Sequence, residues 1–299
     1  MLEHKDGREY KDATVVVVGA SGFIGRWVAR KLVEQGARVC VIGRADIEKL
    51  GDIYRRVRPS ITFNLAGYGI DPLERDEDAA YRVNADLPRI VAEAVASWKN
   101  PAWPGQHFVH VGSGAEYGDA GGDLREDGPA RPTTLYGKSK WRGTMAVAEA
   151  SRALGLRALT SRLFTVYGPG ERAGRLLPSL LQAKRTGRPL DLSPGMQRRD
   201  FTYVEDAAEG LLRLGLAPEG CGIVNLATGR LATVRAFVET AADVLEIPPE
   251  NLIFGAIPAN AYEMRHESIQ LECLRTMVGW VPPTSVAEGI RKTLEYSLQ

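Results

Sequence analysis

The sequence predicts an α/β protein, a doubly wound parallel sheet joined to a smaller C-terminal lobe. Three observations predict it. Short β-branched apolar runs alternate with stretches of helical periodicity through the first half of the chain, a rhythm that yields parallel strands with crossover helices on both faces. The first apolar run ends directly in a glycine-rich turn, Gly19-Ala20-Ser21-Gly22-Phe23-Ile24-Gly25. After Phe164 the rhythm breaks at the turn-rich segments Tyr167-Gly168-Pro169-Gly170, Thr186-Gly187-Arg188-Pro189 and Ser193-Pro194-Gly195.

The elements follow in order. Residues 14–18 read as a buried strand, and 23–35 as a helix with Ile24, Trp27, Val28 and Leu32 on one side and Gly36 to stop it. Strands are expected at 38–42, 61–65, 107–111 and 157–164, with helices at 46–56, 78–98 and 135–154 between them. Shorter helices at 176–184 and 206–216 and a final amphipathic helix at 286–298 fall in the second part. The division expected is an N-terminal extension (1–12), a dinucleotide-binding unit (13–165) and a mainly substrate-binding lobe (166–299), with segments around 200–228 returning to the first unit.

Composition narrows the function. Of 299 residues, 44% are hydrophobic and 25% charged, as in an ordinary globular protein. A net charge of +1 gives no basic field to draw the chain to nucleic acid or to an anionic membrane, so any anion site must be built locally. The polar first residues do not resemble a signal peptide, and no apolar run is long enough to span a bilayer. The three cysteines, Cys40, Cys221 and Cys273, are widely spaced, form no metal-ligand pattern and cannot all pair. A reduced cytoplasmic protein without a bound metal is expected.

The glycine loop has a specific physical use. Gly19 allows a tight strand-to-helix turn, Gly22 lets backbone approach a pyrophosphate, and Gly25 lets the helix pack close to the strand. Ser21, Phe23 and Ile24 lie on the same turn, where the helix N-terminus offers free N–H groups and the positive end of its dipole. This arrangement, the Rossmann fingerprint, predicts dinucleotide binding. At the end of the second strand an NAD-binding fold often carries an acid for the ribose 2′-hydroxyl; here Gly43 stands there, followed by Arg44. A guanidinium without a carboxylate suits a 2′-phosphate, so NADP is the preferred cofactor, with NAD the alternative. Asp46 and Ile47 are placed to lie along the adenine, and Asp46 is equally suited to cap the following helix.

Tyr136 and Lys140 are four apart and share a helix face. A free tyrosine, with a pKa near ~10, is a poor base at neutral pH, and a nearby ammonium favours its phenolate. Ser113, at the end of the strand 107–111, can bond the same substrate oxygen.

With these landmarks the sequence resembles the extended short-chain dehydrogenases/reductases, the NAD-dependent epimerase/dehydratase group. The match runs through Gly19-x-x-Gly22-x-x-Gly25, Asn64-Leu65-Ala66-Gly67, Asn84, Ser113-Gly114-Ala115-Glu116-Tyr117-Gly118, Tyr136-x-x-x-Lys140, Tyr167-Gly168-Pro169-Gly170, Arg199-Asp200-Phe201-Thr202-Tyr203-Val204 and Gly279-Trp280. The resemblance implies Tyr136 as general acid/base, Ser113 orienting the substrate oxygen, and Lys140 tuning Tyr136 and holding the nicotinamide ribose. It places Asn64, Leu65, Ala66 and Gly67 on the nicotinamide side. It also implies a nucleoside-diphosphate sugar as substrate, with Arg199 at its diphosphate, Arg265 as a second phosphate-binding arginine, and a homodimer paired through the helices from Asp78 and Leu135.

Departures from the family pattern sharpen this. Its sugar 4,6-dehydratases carry an Asp-Glu pair directly after the triad hydroxyl; here Gly114 and Ala115 have no proton to give, and Glu116, one place further on, is expected to point elsewhere. The stretch is closer to reductases of 4-keto-6-deoxy sugars. Thr165 stands where the family usually offers an Asn to the substrate. A keto-sugar reductase is the leading reading; a 4-epimerase that retains its NAD, and a dinucleotide-binding sensor without turnover, are the alternatives. His107, His110, Tyr117, Tyr203, Arg162 and Arg172 are expected to be packed, solvated or salt-bridged.

Overall fold

The computed structural model describes residues 9–69, 73–220, 222–258 and 266–297. Five strands of the first half are Thr14–Val18 (β1), Arg38–Ile42 (β2), Ile61–Asn64 (β3), Phe108–Ser113 (β4) and Gly122–Leu124 (β5). The helices among them are Phe23–Glu34 (α1), Leu50–Val57 (α2), Glu77–Tyr81 (α3) and Leu87–Ser97 (α4). They are followed by Leu135–Leu154 (α5), Ala158–Leu163 (β6) and Thr165–Tyr167 (β7). The second half adds Leu176–Thr186 (α6), Leu190–Leu192 (β8), Arg198–Tyr203 (β9), Val204–Leu216 (α7) and Ile223–Leu226 (β10). The chain then runs through Leu231–Thr233 (β11), Val234–Leu245 (α8), Leu252–Phe254 (β12), His266–Ile269 (β13), Glu272–Val278 (α9) and Val286–Ser297 (α10).

Six strands form one sheet in the order β10-β6-β4-β3-β1-β2, and every pairing in it is parallel. Its two faces are visible in β1. Val15 and Val17 join a core with Val28 and Leu32 of α1 and Leu211 of α7. Val16 and Val18 join a second core with Tyr54 of α2, Val91 of α4 and Val147 of α5. Alternate side chains of a strand point to opposite faces, so a strand covered on both sides must be apolar throughout. β10 supplies an edge strand of this sheet from late in the chain, and α7 covers it beside α1.

Three segments differ from the sequence reading. Tyr10, counted in the N-terminal extension, is fully buried against Phe63 and Trp103 and donates to the Leu212 carbonyl at 2.7 Å. One aromatic residue in a polar stretch carries no periodicity to reveal it. The helix expected at 78–98 is broken by a π-turn, Arg82–Asp86. Pro88 has no N–H to give the Asn84 carbonyl, so the ladder shifts there, and the Leu87 N–H donates to the Arg82 carbonyl instead. The helix expected at 46–56 opens as a 3-10 turn, Arg44–Lys49, before α2. On α5, Val147 is 2 % exposed within the chain's own core, whereas Met145 is half-buried.

Candidate active site

The carboxyl ends of β1, β3, β4 and β6 lie along one edge of the sheet, where ligands bind in doubly wound folds. Gly19, at the end of β1, has φ of 81°, and a Cβ there would stand 2.7 Å from the Ala66 nitrogen. A Cβ on Gly25 would stand 2.1 Å from the Gly19 carbonyl oxygen, so only glycine lets α1 sit this close to the turn. Gly22 is the N-cap of α1; no side chain caps it, and the first turn carries no acidic residue. Ser21 is exposed, and Phe23 and Ile24 are partly buried against the core. The result is a glycine cradle with a helix N-terminus aimed at its edge, which fits a pyrophosphate.

At the end of β2 the structure corrects the reading that no carboxylate stands there. The 3-10 turn folds Asp46 back so that its Oδ2 accepts from the Gly43 N–H at 2.8 Å. Asp46 therefore caps the turn with its carboxylate at the end of β2, while Arg44 is exposed beside it. Ile47 packs against the second core.

The segment after β3 forms the opposite wall. Asn64 is buried, its Oδ1 accepts from the Ala66 N–H at 3.2 Å, and the Leu65 N–H donates to the Val18 carbonyl at 2.9 Å. Asn84, on the π-turn, accepts from the Tyr68 N–H at 3.0 Å and donates to the Tyr68 carbonyl at 2.8 Å and to Ser139 Oγ at 2.9 Å. It therefore pins the loop 65–68 to α5, a backbone role. A Cβ on Gly67 would lie 3.7 Å from Lys140 Nζ, so the loop and the lysine are neighbours.

Ser113, Tyr136 and Lys140 meet beside this wall. Ser113 ends β4, its Oγ accepts from the Ala115 N–H at 3.2 Å, and its side chain neighbours the Tyr136 phenol closely enough to lower its pKa. Thr134 caps α5 by accepting from the Gly137 N–H at 3.0 Å. A Cβ on Gly137 would meet the Ala115 carbonyl at 2.4 Å, so this glycine lets the helix start against the Ser113 turn. Lys140 is 3 % exposed and donates to the Val111 carbonyl at 2.8 Å. Burial pushes the Tyr136 phenol up to about 12, against the lowering effects of Ser113 and of Arg175. Burial brings Lys140 down to about 8, with the Glu116 charge opposing. The sequence reading expected a nearby ammonium to lower the phenol; burial raises it instead, and Lys140 is not among the groups that shift it.

Two adjoining cavities lie among β7, α6, β9 and α8. One, of about 150 Å³, is lined by Thr165, Glu171, Arg175, Arg199 and Phe201, and the charge of Arg175 reaches Tyr136. The other, of about 380 Å³, is lined by Leu190, Leu192, Gln197, Val234 and Phe254 among others. Arg199 lines both. Its neighbour Asp200 faces the other way and is buried, accepting from the Thr228 N–H at 2.9 Å and hydroxyl at 2.8 Å and from the Arg230 N–H at 3.1 Å. Arg265 lies outside the described residues.

Sequence reasoning missed Glu171 and Arg175. Glu171 Oε1 accepts from Arg175 Nε at 3.4 Å, and burial pushes the carboxyl up to about 7. Their four-residue spacing just after Gly170 was the available signal. His110 is buried on β4 with Nδ1 3.3 Å from Asn64 Nδ2, and burial holds it well below the usual histidine range. Tyr117 donates to Asn225 Oδ1 at 2.8 Å, a structural bond. Among the described residues no group of three or more His, Cys, Asp or Glu could hold a metal ion, and no helix is long and apolar enough to cross a membrane.

Comparison with known proteins agrees with this geometry. A dTDP-6-deoxy-L-talose 4-dehydrogenase (NAD(P)(+)) of Kitasatospora kifunensis is 29% identical over 308 residues, covering 94% of each chain. A probable dTDP-4,6-dihydroxy-2-methyloxan-3-one 4-ketoreductase of Streptomyces antibioticus is 28% identical over 242 residues, 78% of each. The solved structure of MoeE5 in complex with UDP-glucuronic acid and NAD is 25% identical and superposes with a TM-score of 0.81, over 95% of this chain and 99% of that one. The model of the NAD dependent epimerase/dehydratase family matches residues 15–227, from β1 through β10 and across the glycine cradle and the Ser113–Tyr136–Lys140 cluster; the chain belongs to that family.

Proposed function

We propose that this protein is an NAD(P)-dependent oxidoreductase that reduces the keto group of a nucleoside-diphosphate 4-keto-6-deoxy sugar. The observation that carries this reading is the meeting of Ser113, Tyr136 and Lys140, with Arg175, whose charge reaches Tyr136, lining a cavity that shares Arg199 with a larger one. A sugar fits the smaller cavity, a nucleoside the larger, and Arg199 and Arg175 face a diphosphate between them. The names of the two sugar-oxidoreductase relatives support the same chemistry.

The residues suit their parts. The glycine cradle and the first turn of α1 would hold the cofactor's pyrophosphate, Leu65, Ala66 and Gly67 would line its nicotinamide side, and the bound cofactor supplies the hydride. Ser113 orients the carbonyl oxygen. Tyr136 gives that oxygen its proton as the carbon is reduced, so the carbonyl becomes an alcohol and the phenolate is re-protonated from solvent. Lys140, positive at neutral pH, steadies the phenolate while it lasts. Thr165 offers one hydroxyl where a longer amide would reach further.

A second reading is a 4-epimerase with retained NAD, which Asp46 at the end of β2 favours. One assay separates the two: the protein is incubated with nucleotide-linked 4-keto sugars and reduced cofactor, and with a 4-hydroxy nucleotide sugar alone. Stoichiometric loss of reduced cofactor is expected; interconversion of hydroxy sugars without net cofactor change would favour the epimerase.

A further inference from the structure

We propose that Glu116, with its buried partner Arg162, is the positioning residue of the triad, tying the strand that ends in Ser113 to the helix that carries Tyr136 and Lys140. This rests on reading Tyr136 as the proton donor. Glu116 Oε1 accepts from the Ser113 N–H at 2.8 Å. Its Oε2 accepts from the Thr144 hydroxyl at 2.9 Å and from Arg162 Nε at 2.9 Å. Thr144 lies one helical turn beyond Lys140 on the same face of α5. A single carboxylate therefore fixes β4, α5 and β6 to one another directly behind the site.

The chain makes room for this group. A Cβ on Gly112 would stand 2.5 Å from Glu116 Oε1, in a strand where glycine has no conformational use. Arg162 is held on its other sides by the faces of Tyr117, at 4.3 Å, and Trp141, at 5.4 Å. The two charges are 0 % and 1 % exposed. A pair buried this deeply gains little net stability, because desolvation offsets the attraction. What it supplies is a fixed geometry. Its exposure also excludes contact with substrate, so Glu116 acts through Ser113 and α5.

The carboxylate adds an electrostatic effect. The groups facing Tyr136 are Ser113, Glu116 and Arg175, and those coupled to Lys140 are Glu116 and, from β4, His110. Glu116 favours the protonated forms of both Tyr136 and Lys140, the forms in which a reductase begins its cycle.

The test uses the full chain with Glu116→Gln, and with Glu116→Gln combined with Arg162→Met, so that no unpaired charge is left buried. In both, kcat should fall by roughly 10- to 100-fold, the scale of a small misplacement of reacting groups. KM and cofactor affinity should hold, and the alkaline limb of the kcat profile should move to lower pH. Hydrogen exchange at the Ser113 amide should accelerate in both variants, a readout that needs no substrate. Unchanged kcat, or a loss with an unmoved alkaline limb, overturns the proposal, as does unchanged exchange at Ser113. If the parent protein reduces no keto sugar, the functional reading falls by itself, and Ser113 exchange still decides the tether.

Discussion

Lys140 donates its ammonium proton to the Val111 carbonyl oxygen at 2.8 Å, two residues before Ser113 on the same strand. The bond sets the height of α5 against β4 and so brings the Tyr136 ring to the Ser113 side chain. Gly69, in the left-handed region with φ of 95°, lets backbone pack on the other side of that ring, where a Cβ would lie 3.5 Å from Tyr136 Cδ2. The phenol is thus held by helix, strand and loop together.

Tyr136→Phe keeps this packing and removes only the hydroxyl. Turnover on an accepted keto sugar should drop by on the order of 10²–10⁴-fold, as for loss of a positioned acid, with folding and cofactor affinity retained. Steady-state kinetics with a parallel cofactor titration checks both parts. Near-normal turnover would remove Tyr136 from the mechanism.

Lys140→Met should separate stability from function. The folded pKa of about 8 lies below the ordinary lysine value of 10.5. Between those values the unfolded chain binds more protons than the folded one, so stability rises with pH across that window, and below about 8 the full cost of burying the charge remains. That cost is on the order of 3 kcal/mol. Methionine escapes it and leaves the Val111 carbonyl without its donor, a loss of about 1 kcal/mol. The variant should therefore melt higher than the parent at neutral pH, with the difference shrinking as pH rises toward 10.5, while turnover collapses and cofactor binding weakens. A lower melting temperature at neutral pH would contradict the assignment.

The parts of this molecule that repeat were legible in its residues, and the parts built by single contacts were not. An apolar run such as Val15 to Val18 announces a strand because all its neighbours are apolar as well, and the four-residue spacing of Tyr136 and Lys140 announces a shared helix face. Asp46 was legible as an adenine neighbour or a cap, but the 3-10 turn that returns it to the end of β2 depends on local backbone geometry. Glu116 was expected to point elsewhere, but its bonds join three elements far apart in sequence, and no linear pattern records them. Glu171 and Arg175 gained significance only when β7, β9 and α6 enclosed a cavity around them.

Two opposed charges, Arg44 and Asp46, stand at the end of β2. Arg44→Ala should weaken NADP(H) selectively, since a charge-assisted contact to phosphate contributes about 1.5–3 kcal/mol. Asp46→Ala should act in the opposite sense, raising the ratio of NADP(H) to NAD(H) affinity by removing a carboxylate that repels a 2′-phosphate. Fluorescence titration of parent and variants with both reduced cofactors measures the ratios. NADP(H) should bind the parent more tightly; equal curves would remove Arg44 as the determinant.

Assembly provides a separate check. The helices α4 and α5 pack side by side on one face of the sheet, and Met145 and Ala148 on α5 remain half-buried in the single chain. A two-fold pairing through these helices would cover them. Sedimentation at micromolar concentration should give a dimer, and Met145→Glu should shift it toward monomer. A parent protein that sediments only as a monomer would leave this face without a partner copy.

Glu171 should make substrate affinity depend on pH. Its carboxyl sits at the edge of the smaller cavity beside Arg175, with burial raising it to about 7. Above that value the carboxylate offsets the Arg175 charge; below it the carboxyl is neutral, and the cavity that Arg175 and Arg199 line is more positive. A nucleoside diphosphate is an anion, so KM should fall as pH drops through about 7, with little change in kcat. Glu171→Gln keeps the volume and fixes the neutral state, so the variant should show the low KM at every pH and lose the dependence. Cofactor affinity, set on the far side of the sheet edge, should not follow. A KM that is flat in the parent, or that keeps its slope in Glu171→Gln, would show that the carboxyl does not face the anion.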